Sequence, residues 1–248
     1  MGKLKKDLNI ILNIYIVVML LTITFIQSYT PDTIYTFSDS AMVVFTKGSS
    51  TEKKIALSFD DGPHPEYTNQ ILDLLKEYSI PGTFFVLGKH AELYPEIIKR
   101  QVAEGHEIGN HSYSHVNMKK ASTKVVKEEF EKTQEIVSSI SNTRPKVFRP
   151  PYGNYNKEVI KVISSDNSIL VLWTFYQDSK DWSNPGVEAI VNTTLSKIQN
   201  GDIILFHDYV YKNESNTVEA LKTIIPELIK EGYSFVTISE LINISQEK

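Results

Sequence analysis

The feature that most constrains this chain is a recurring order of segments. A short apolar run is followed, again and again, by a stretch whose apolar residues return at helical spacing. Ile55-Ala56-Leu57-Ser58-Phe59 has the length and composition of a buried strand. Glu66 to Tyr78 follows it, with Ile71, Leu72, Leu74, Leu75 and Tyr78 at helical spacing. Gly82 then introduces Thr83-Phe84-Phe85-Val86-Leu87 as a second strand, and Ala91 to Ala103 reads as a second amphipathic helix through Leu93, Ile97, Ile98 and Val102. Further strands are expected at Val147-Phe148, Ile169–Phe175, Ile203–Phe206 and Tyr233–Ile238. Helices are expected at Thr123–Ile140, Lys157–Ser164, Val187–Gln199 and Val218–Glu231. Such alternation argues for an α/β fold, a parallel sheet with helices outside, as a barrel or a doubly wound sheet. Active sites of these folds collect at the carboxyl ends of the strands. The residues just after each apolar run are therefore the ones to read for chemistry.

The N-terminus follows a different rule. Lys3, Lys5 and Lys6 precede Leu8 to Ile26, which holds no charged residue. A helix needs about 20 apolar residues to cross a bilayer, so a transmembrane helix is expected, with the lysines cytoplasmic and the rest outside. No clear small-x-small cleavage site follows closely, which favours a single-pass anchor in the cell membrane over a cleaved signal and a secreted chain. The expected division is a basic tip with a transmembrane anchor or signal segment over 1–28, an extracytoplasmic linker over 29–53 and a single α/β domain over 54–248. The linker is rich in Ser, Thr and Asp, with a short strand suggested around Met42 to Phe45. The formal net charge of −4 offers no basic surplus for nucleic acid. The chain has no cysteine, so any metal must be held by His, Asp or Glu.

Five constellations carry chemistry. In Ser58-Phe59-Asp60-Asp61-Gly62-Pro63, two adjacent acids end an apolar strand before a Gly-Pro break. Facing one site, such carboxylates repel unless a cation neutralises one of them; the bland alternative is a solvated turn. In His111-Ser112-Tyr113-Ser114-His115, a helical turn would set both imidazoles on one face, able to share a divalent ion. Gly105, Gly109 and Asn110 just upstream suggest a tightly built loop. With one carboxylate, the pair makes an Asp-His-His set with positions open for water and substrate. In Phe148-Arg149-Pro150-Pro151-Tyr152-Gly153 the prolines fix the backbone, so Arg149 can be held as a fork toward a carboxylate, or can be an ordinary surface arginine on a rigid turn. Asp178-Ser179-Lys180-Asp181-Trp182 is an acid-rich loop with an aromatic ring that suits a sugar or plain core packing. Ile204-Leu205-Phe206-His207-Asp208 delivers a histidine at a strand end, well placed for general acid or base work. His64, His90 and His106 have no comparable setting and receive no role.

The order and wording of these segments resemble the NodB-homology polysaccharide deacetylases, carbohydrate esterase family 4, over roughly Lys54 to Ile242. The resemblance implies a deformed (β/α) barrel of about seven parallel strands, here preceded by the transmembrane helix. It implies Asp60 as catalytic base, oriented by Arg149, with Asp61, His111 and His115 as ligands of one divalent metal, zinc or else cobalt, nickel or manganese. The Tyr152 amide would help bind an oxyanion. Asp181 would hold His207 as general acid, and Trp182 and Leu205 would shape an acetyl pocket. Ser58 stands where the family usually has Thr.

The activity implied is hydrolytic removal of N-acetyl groups from a polysaccharide, peptidoglycan or a chitin-like N-acetylglucosamine polymer, with the membrane as the other partner and no protein partner. An O-acetyl (xylan) esterase would use the same site, and a non-catalytic wall-binding module would need neither base nor acid. A glycoside hydrolase needs carboxyls roughly 5–9.5 Å apart across a glycosidic bond, which neighbours such as Asp60 and Asp61 serve poorly.

Overall fold

The computed structural model describes residues 44–210 and 214–246. The elements, in chain order, are β1 (Val44–Phe45), β2 (Lys54–Asp60), α1 (Tyr67–Glu77), β3 (Thr83–Val86), α2 (Gly88–Leu93), α3 (Pro95–Ala103), β4 (Glu107–Asn110) and α4 (Thr123–Ser141). They continue with β5 (Val147–Phe148), α5 (Lys157–Ser165), β6 (Ile169–Val171), α6 (Val187–Leu195), β7 (Ile203–His207), α7 (Thr217–Lys230), β8 (Ser234–Phe235) and α8 (Ile238–Gln246). Seven strands run in the order β1-β6-β5-β4-β3-β2-β7, and β8 pairs with the start of β2. Every pairing is parallel.

The two faces of β2 explain how the sheet is filled. Ile55, Leu57 and Phe59 point to the helix side, where they pack with Ile71, Leu72 and Leu75 of α1 and Leu221, Ile224 and Leu228 of α7. Phe59 stacks between Phe84 and Phe206, at 4.8 and 6.0 Å between ring centroids. The intervening residues, Ala56, Ser58 and Asp60, take the opposite face, because successive side chains of a strand alternate. On that side a smaller cluster joins Ala56 to Phe85, Val171, Ile203 and the α8 residues Ile238, Leu241 and Ile242. Burial on both faces is why β2 reads as a continuous apolar run. It also means that Asp60, at the end of β2, emerges from the inner face.

The fold expectation is corrected in two respects. The sheet is a curled, open half-barrel rather than a barrel: among the described residues no ladder joins β1 to β7. Irregular chain after β6 spans the gap instead, with Leu172 N–H donating to the Phe45 carbonyl, Thr174 N–H to Ile203 and Leu205 N–H to Gln177. Second, no helix among the described residues is long and apolar enough to cross a membrane. The transmembrane helix, the membrane as a partner and a single-pass location in the cell membrane are therefore not carried forward. The segment Leu8–Ile26 on which they rested lies outside the described residues.

Local departures have local causes. The expected helix Ala91–Ala103 is two helices, because Pro95 starts α3 and forces Tyr94 out of helical geometry (φ −129°, ψ 55°). Glu107–Asn110, read as loop, is a central strand. Gly109 is glycine there because a Cβ would lie 2.5 Å from the Phe85 ring, and not because the chain turns. The run Ile169–Phe175 leaves the sheet after Val171, and Tyr233–Ile238 yields only β8 before Ile238 opens α8.

The stretch expected to be linker contributes β1 and then docks under β7. Gly48 N–H donates to the Gly201 carbonyl at 2.7 Å, and Gly201 has φ +81°. A Cβ on Gly201 would sit 2.4 Å from the Gly48 carbonyl oxygen. Gly201→Ala is therefore expected to cost at least about 1–3 kcal/mol, from a strained left-handed residue and a displaced contact. Urea unfolding of the two proteins measures it, and an unchanged midpoint would contradict this docking.

Candidate active site

The carboxyl ends of β2, β4, β5 and β7 meet at one edge of the sheet. Register does most of this: Asp60 lies beside Phe85 on β3 and beside His207 on β7, and Asn110 beside Phe148 on β5. The chain leaves each strand at once. Asp61 (φ 75°) turns away from β2, and Ser112 (φ 70°) and His115 (φ 67°) bend the segment after β4. His111 and His115 are thus brought together by an irregular loop and not by the helical turn expected from their spacing.

Asp61, His111 and His115 each offer one ligand atom, all within 4.8 Å of one another. His111 Nδ1 donates to the Arg149 carbonyl at 2.7 Å, which leaves the Nε2 lone pair facing Asp61 Oδ1 at 3.4 Å. His115 Nε2 lies 3.2 Å from the same oxygen. Burial pulls His115 down to about 4, against the opposing pull of Asp61, so its imidazole is neutral at neutral pH. Asp61 Oδ1 is buried without a hydrogen-bond partner. Acceptors converging on an unsatisfied carboxylate oxygen repel one another unless a cation lies between them. The donor set fits a single divalent ion bound by imidazole and carboxylate, and zinc suits it.

Asp60 stands beside this set, with Oδ2 3.7 Å from His111 Nε2. Its other oxygen accepts from Arg149 Nη1 at 2.7 Å. Arg149 is fully buried. It also donates to Ser58 Oγ at 3.0 Å and to the Leu172 carbonyl at 3.3 Å, and its guanidinium lies 4.1 Å from the centre of the Phe85 ring. The fork expected of Arg149 is therefore an inward one, not a surface arginine. At the end of neighbouring β7, His207 Nδ1 donates to Asp181 Oδ1 at 2.8 Å. Asp181 Oδ2 accepts from the His207 N–H and from Thr217 Oγ1. Burial opposes the imidazolium, but the charge and hydrogen bonds of Asp181 outweigh it and raise His207 to about 9.

Every residue singled out from the sequence reaches this place. Arg149 and Asp181 sit behind the wall, and the others line one open cleft of about 720 Å³. Leu205 is in the floor, whereas Tyr152 (63 % exposed) and Trp182 (58 % exposed) stand at the rim. Sequence reasoning marked Asn110 only as part of a tight loop, missed its partners, and missed Glu129 altogether. Asn110 Oδ1 accepts from Ser112 N–H, and its amide donates to the Phe130 carbonyl and to Gln134 of α4. Glu129 of α4 accepts from the N–H groups of Tyr113 and Ser114. The helical pattern of α4 carried no sign of this, since Glu129 reads as an ordinary solvated helix face.

Fold and site together define a metal-dependent hydrolase built on the carboxyl edge of a parallel sheet. Residues 47–168 match the family model described as polysaccharide deacetylase. A peptidoglycan-N-acetylglucosamine deacetylase of Bacillus cereus is 42% identical over 193 residues, 78% of this chain and 90% of that protein. The crystal structure of a peptidoglycan N-acetylglucosamine deacetylase superposes with a TM-score of 0.78 at 36% identity, covering 83% of this chain and 95% of the other. The chain belongs to the polysaccharide deacetylases, carbohydrate esterase family 4. A pseudoenzyme of that family from Bacillus anthracis also superposes, with a TM-score of 0.74 at 30% identity over 80% of this chain and 68% of the other. Fold alone therefore does not decide activity, and the residues of the cleft must.

The site makes a direct demand. The double variant His111→Ala/His115→Ala should lose stoichiometric metal, measured by elemental analysis after dialysis against trace zinc. Full retention would remove these imidazoles from the metal site.

Proposed function

We propose that this chain hydrolyses N-acetyl groups on a glycan built from N-acetylglucosamine, with peptidoglycan as the polymer. The observation that carries the reading is the placement of Asp60 and His207. The two residues end neighbouring strands and line one open cleft, one fixed by a buried arginine and the other by a buried aspartate. A base and an acid held in one cleft, each in a fixed orientation, are what amide hydrolysis needs. The relatives described as peptidoglycan deacetylases support the substrate.

In this reading Asp60 accepts the proton of the attacking water, its orientation held by Arg149. When bound, the divalent ion supplies Lewis-acid polarisation of the acetyl carbonyl and lowers the pKa of water at the site. The Tyr152 amide donates to the developing oxyanion. It is the first N–H that this rim can offer, because Pro150 and Pro151 have none. His207, protonated through Asp181, gives its Nε2 proton to the departing amine. Leu205 and Trp182 border the acetyl group. Acetate and a free amino sugar result. A wall-binding module has no use for the buried His207–Asp181 pair. An O-acetyl esterase would use the same groups, and acetate release from different polymers separates the two.

Acetate release should be assayed on peptidoglycan, chitin oligomers and acetylated xylan. Release from the N-acetylated polymers is expected; release from xylan alone would make the chain an O-acetyl esterase. Asp60→Asn should lower kcat by at least about 10²-fold while still binding metal, whereas Asp61→Asn should weaken the metal. Indistinguishable variants would mean that base and ligand are not separate roles.

The pH dependence follows from His207. A general acid acts while protonated, so activity falls as pH rises through its pKa. That pKa is raised by Asp181 from an ordinary 6.5 toward about 9. Asp181→Asn should therefore move the alkaline limb of the kcat/KM profile to lower pH, by about one unit or more. An unmoved limb would assign it to another group.

A further inference from the structure

The backbone on either side of the Asp61–Gly62 bond is gripped from three directions by groups outside the reacting set. His90 Nδ1 donates to the Asp61 carbonyl at 2.7 Å. The Gly62 N–H donates to Asp208 Oδ1 at 3.0 Å. The Gly62 carbonyl accepts from the Leu87 N–H at 3.0 Å. Both side chains are themselves anchored. Asp208 is buried and its second oxygen accepts from Thr68 Oγ1 at 2.7 Å. His90 is buried and its ring stacks on Tyr209, 4.1 Å between centroids and 12° from parallel. Asp61 itself holds a left-handed backbone (φ 75°), a conformation that costs a non-glycine residue energy and persists only when its surroundings impose it. Gly62 belongs to the same device: a Cβ there would lie 2.2 Å from Asp208 Oδ2, so the carboxylate occupies the space that glycine leaves.

We infer that His90 and Asp208 are positioning residues for the metal: they fix the backbone of Asp61 so that its carboxylate meets His111 and His115. Neither offers a ligand atom to the metal set, and neither lines the cleft. The chemistry is that of outer hydrogen bonds that orient a ligand, where a lost bond costs roughly 10–100-fold in metal affinity. Here the bonds act on the ligand's main chain instead of its side chain. The inference rests on Asp61 being a ligand, as proposed above.

The test is zinc affinity of the full chain, measured by competition with a chromophoric chelator, together with the thermal midpoint of each metal-free protein. His90→Phe removes the donor and keeps a ring to stack on Tyr209. It should weaken zinc at least about 10-fold with the metal-free midpoint unchanged. His90→Asn places an amide N–H near the position of Nδ1 and should recover most of that affinity. Asp208→Ala should weaken zinc similarly, whereas Asp208→Asn, which still accepts from Gly62, should stay within a few-fold of the parent. Asp61→Asn is the reference. If it weakens zinc while His90→Phe and Asp208→Ala do not, the positioning role is overturned and the ligand assignment stands. If Asp61→Asn leaves zinc affinity unchanged, the ligand assignment falls and the inference with it. Loss in His90→Asn equal to that in His90→Phe would also overturn it.

Discussion

The buried ion pair between Arg149 and Asp60 is the constraint on which the rest of the site depends. Taking both charges out of water is expensive, and removing one partner from such a pair costs about 3–5 kcal/mol. The fold therefore has to deliver them together, from strands three places apart in the sheet order. Asp60 ends β2 on the inner face and Arg149 follows β5, and the curl of the sheet brings their side chains to 2.7 Å. A flat sheet would not. The same arginine ties in Ser58, Phe85 and the Leu172 carbonyl, and its own carbonyl sets the tautomer of His111. One residue thus orients both the Asp60 carboxylate and the metal-binding imidazole of His111 beside it.

Electrostatics then separates the roles of groups that share a small space. His207 and His115 are both histidines on the cleft wall, yet Asp181 holds one protonated while burial keeps the other neutral. The difference lies in one partner. Asp181 gives both of its oxygens to His207, through Nδ1 and the main-chain N–H. Asp61 faces two imidazoles with one unsatisfied oxygen, an arrangement that a cation completes and a proton does not.

Much of this was legible in the amino-acid order, because strand ends and turn residues carry local signals. Apolar runs such as Ile55–Phe59 located the central strands, and the acids, histidines and prolines that follow them marked the cleft. What was not legible depended on contacts between distant segments. Glu107–Asn110 looks like loop because Gly109 answers to the Phe85 ring above it. The sheet's failure to close cannot be read from seven apolar runs, since it depends on chain after β6 filling the gap without a regular ladder. His90 carried no motif that would single it out, and Asp208 was marked only as the residue after His207. Their partners are main-chain groups, the Asp61 carbonyl that accepts from His90 and the Gly62 N–H that donates to Asp208, visible only once the turn is built. The N-terminal apolar segment lies outside the described residues, and no membrane-crossing helix occurs within them.

The central claim is that Asp61, His111 and His115 together hold one divalent ion. X-ray absorption at the zinc edge of the zinc-loaded protein tests it most directly. The expected first coordination shell has two imidazole nitrogens at about 2.0–2.1 Å, the remaining donors being oxygen from carboxylate and solvent. A shell with no imidazole, or with three or more, would contradict the account.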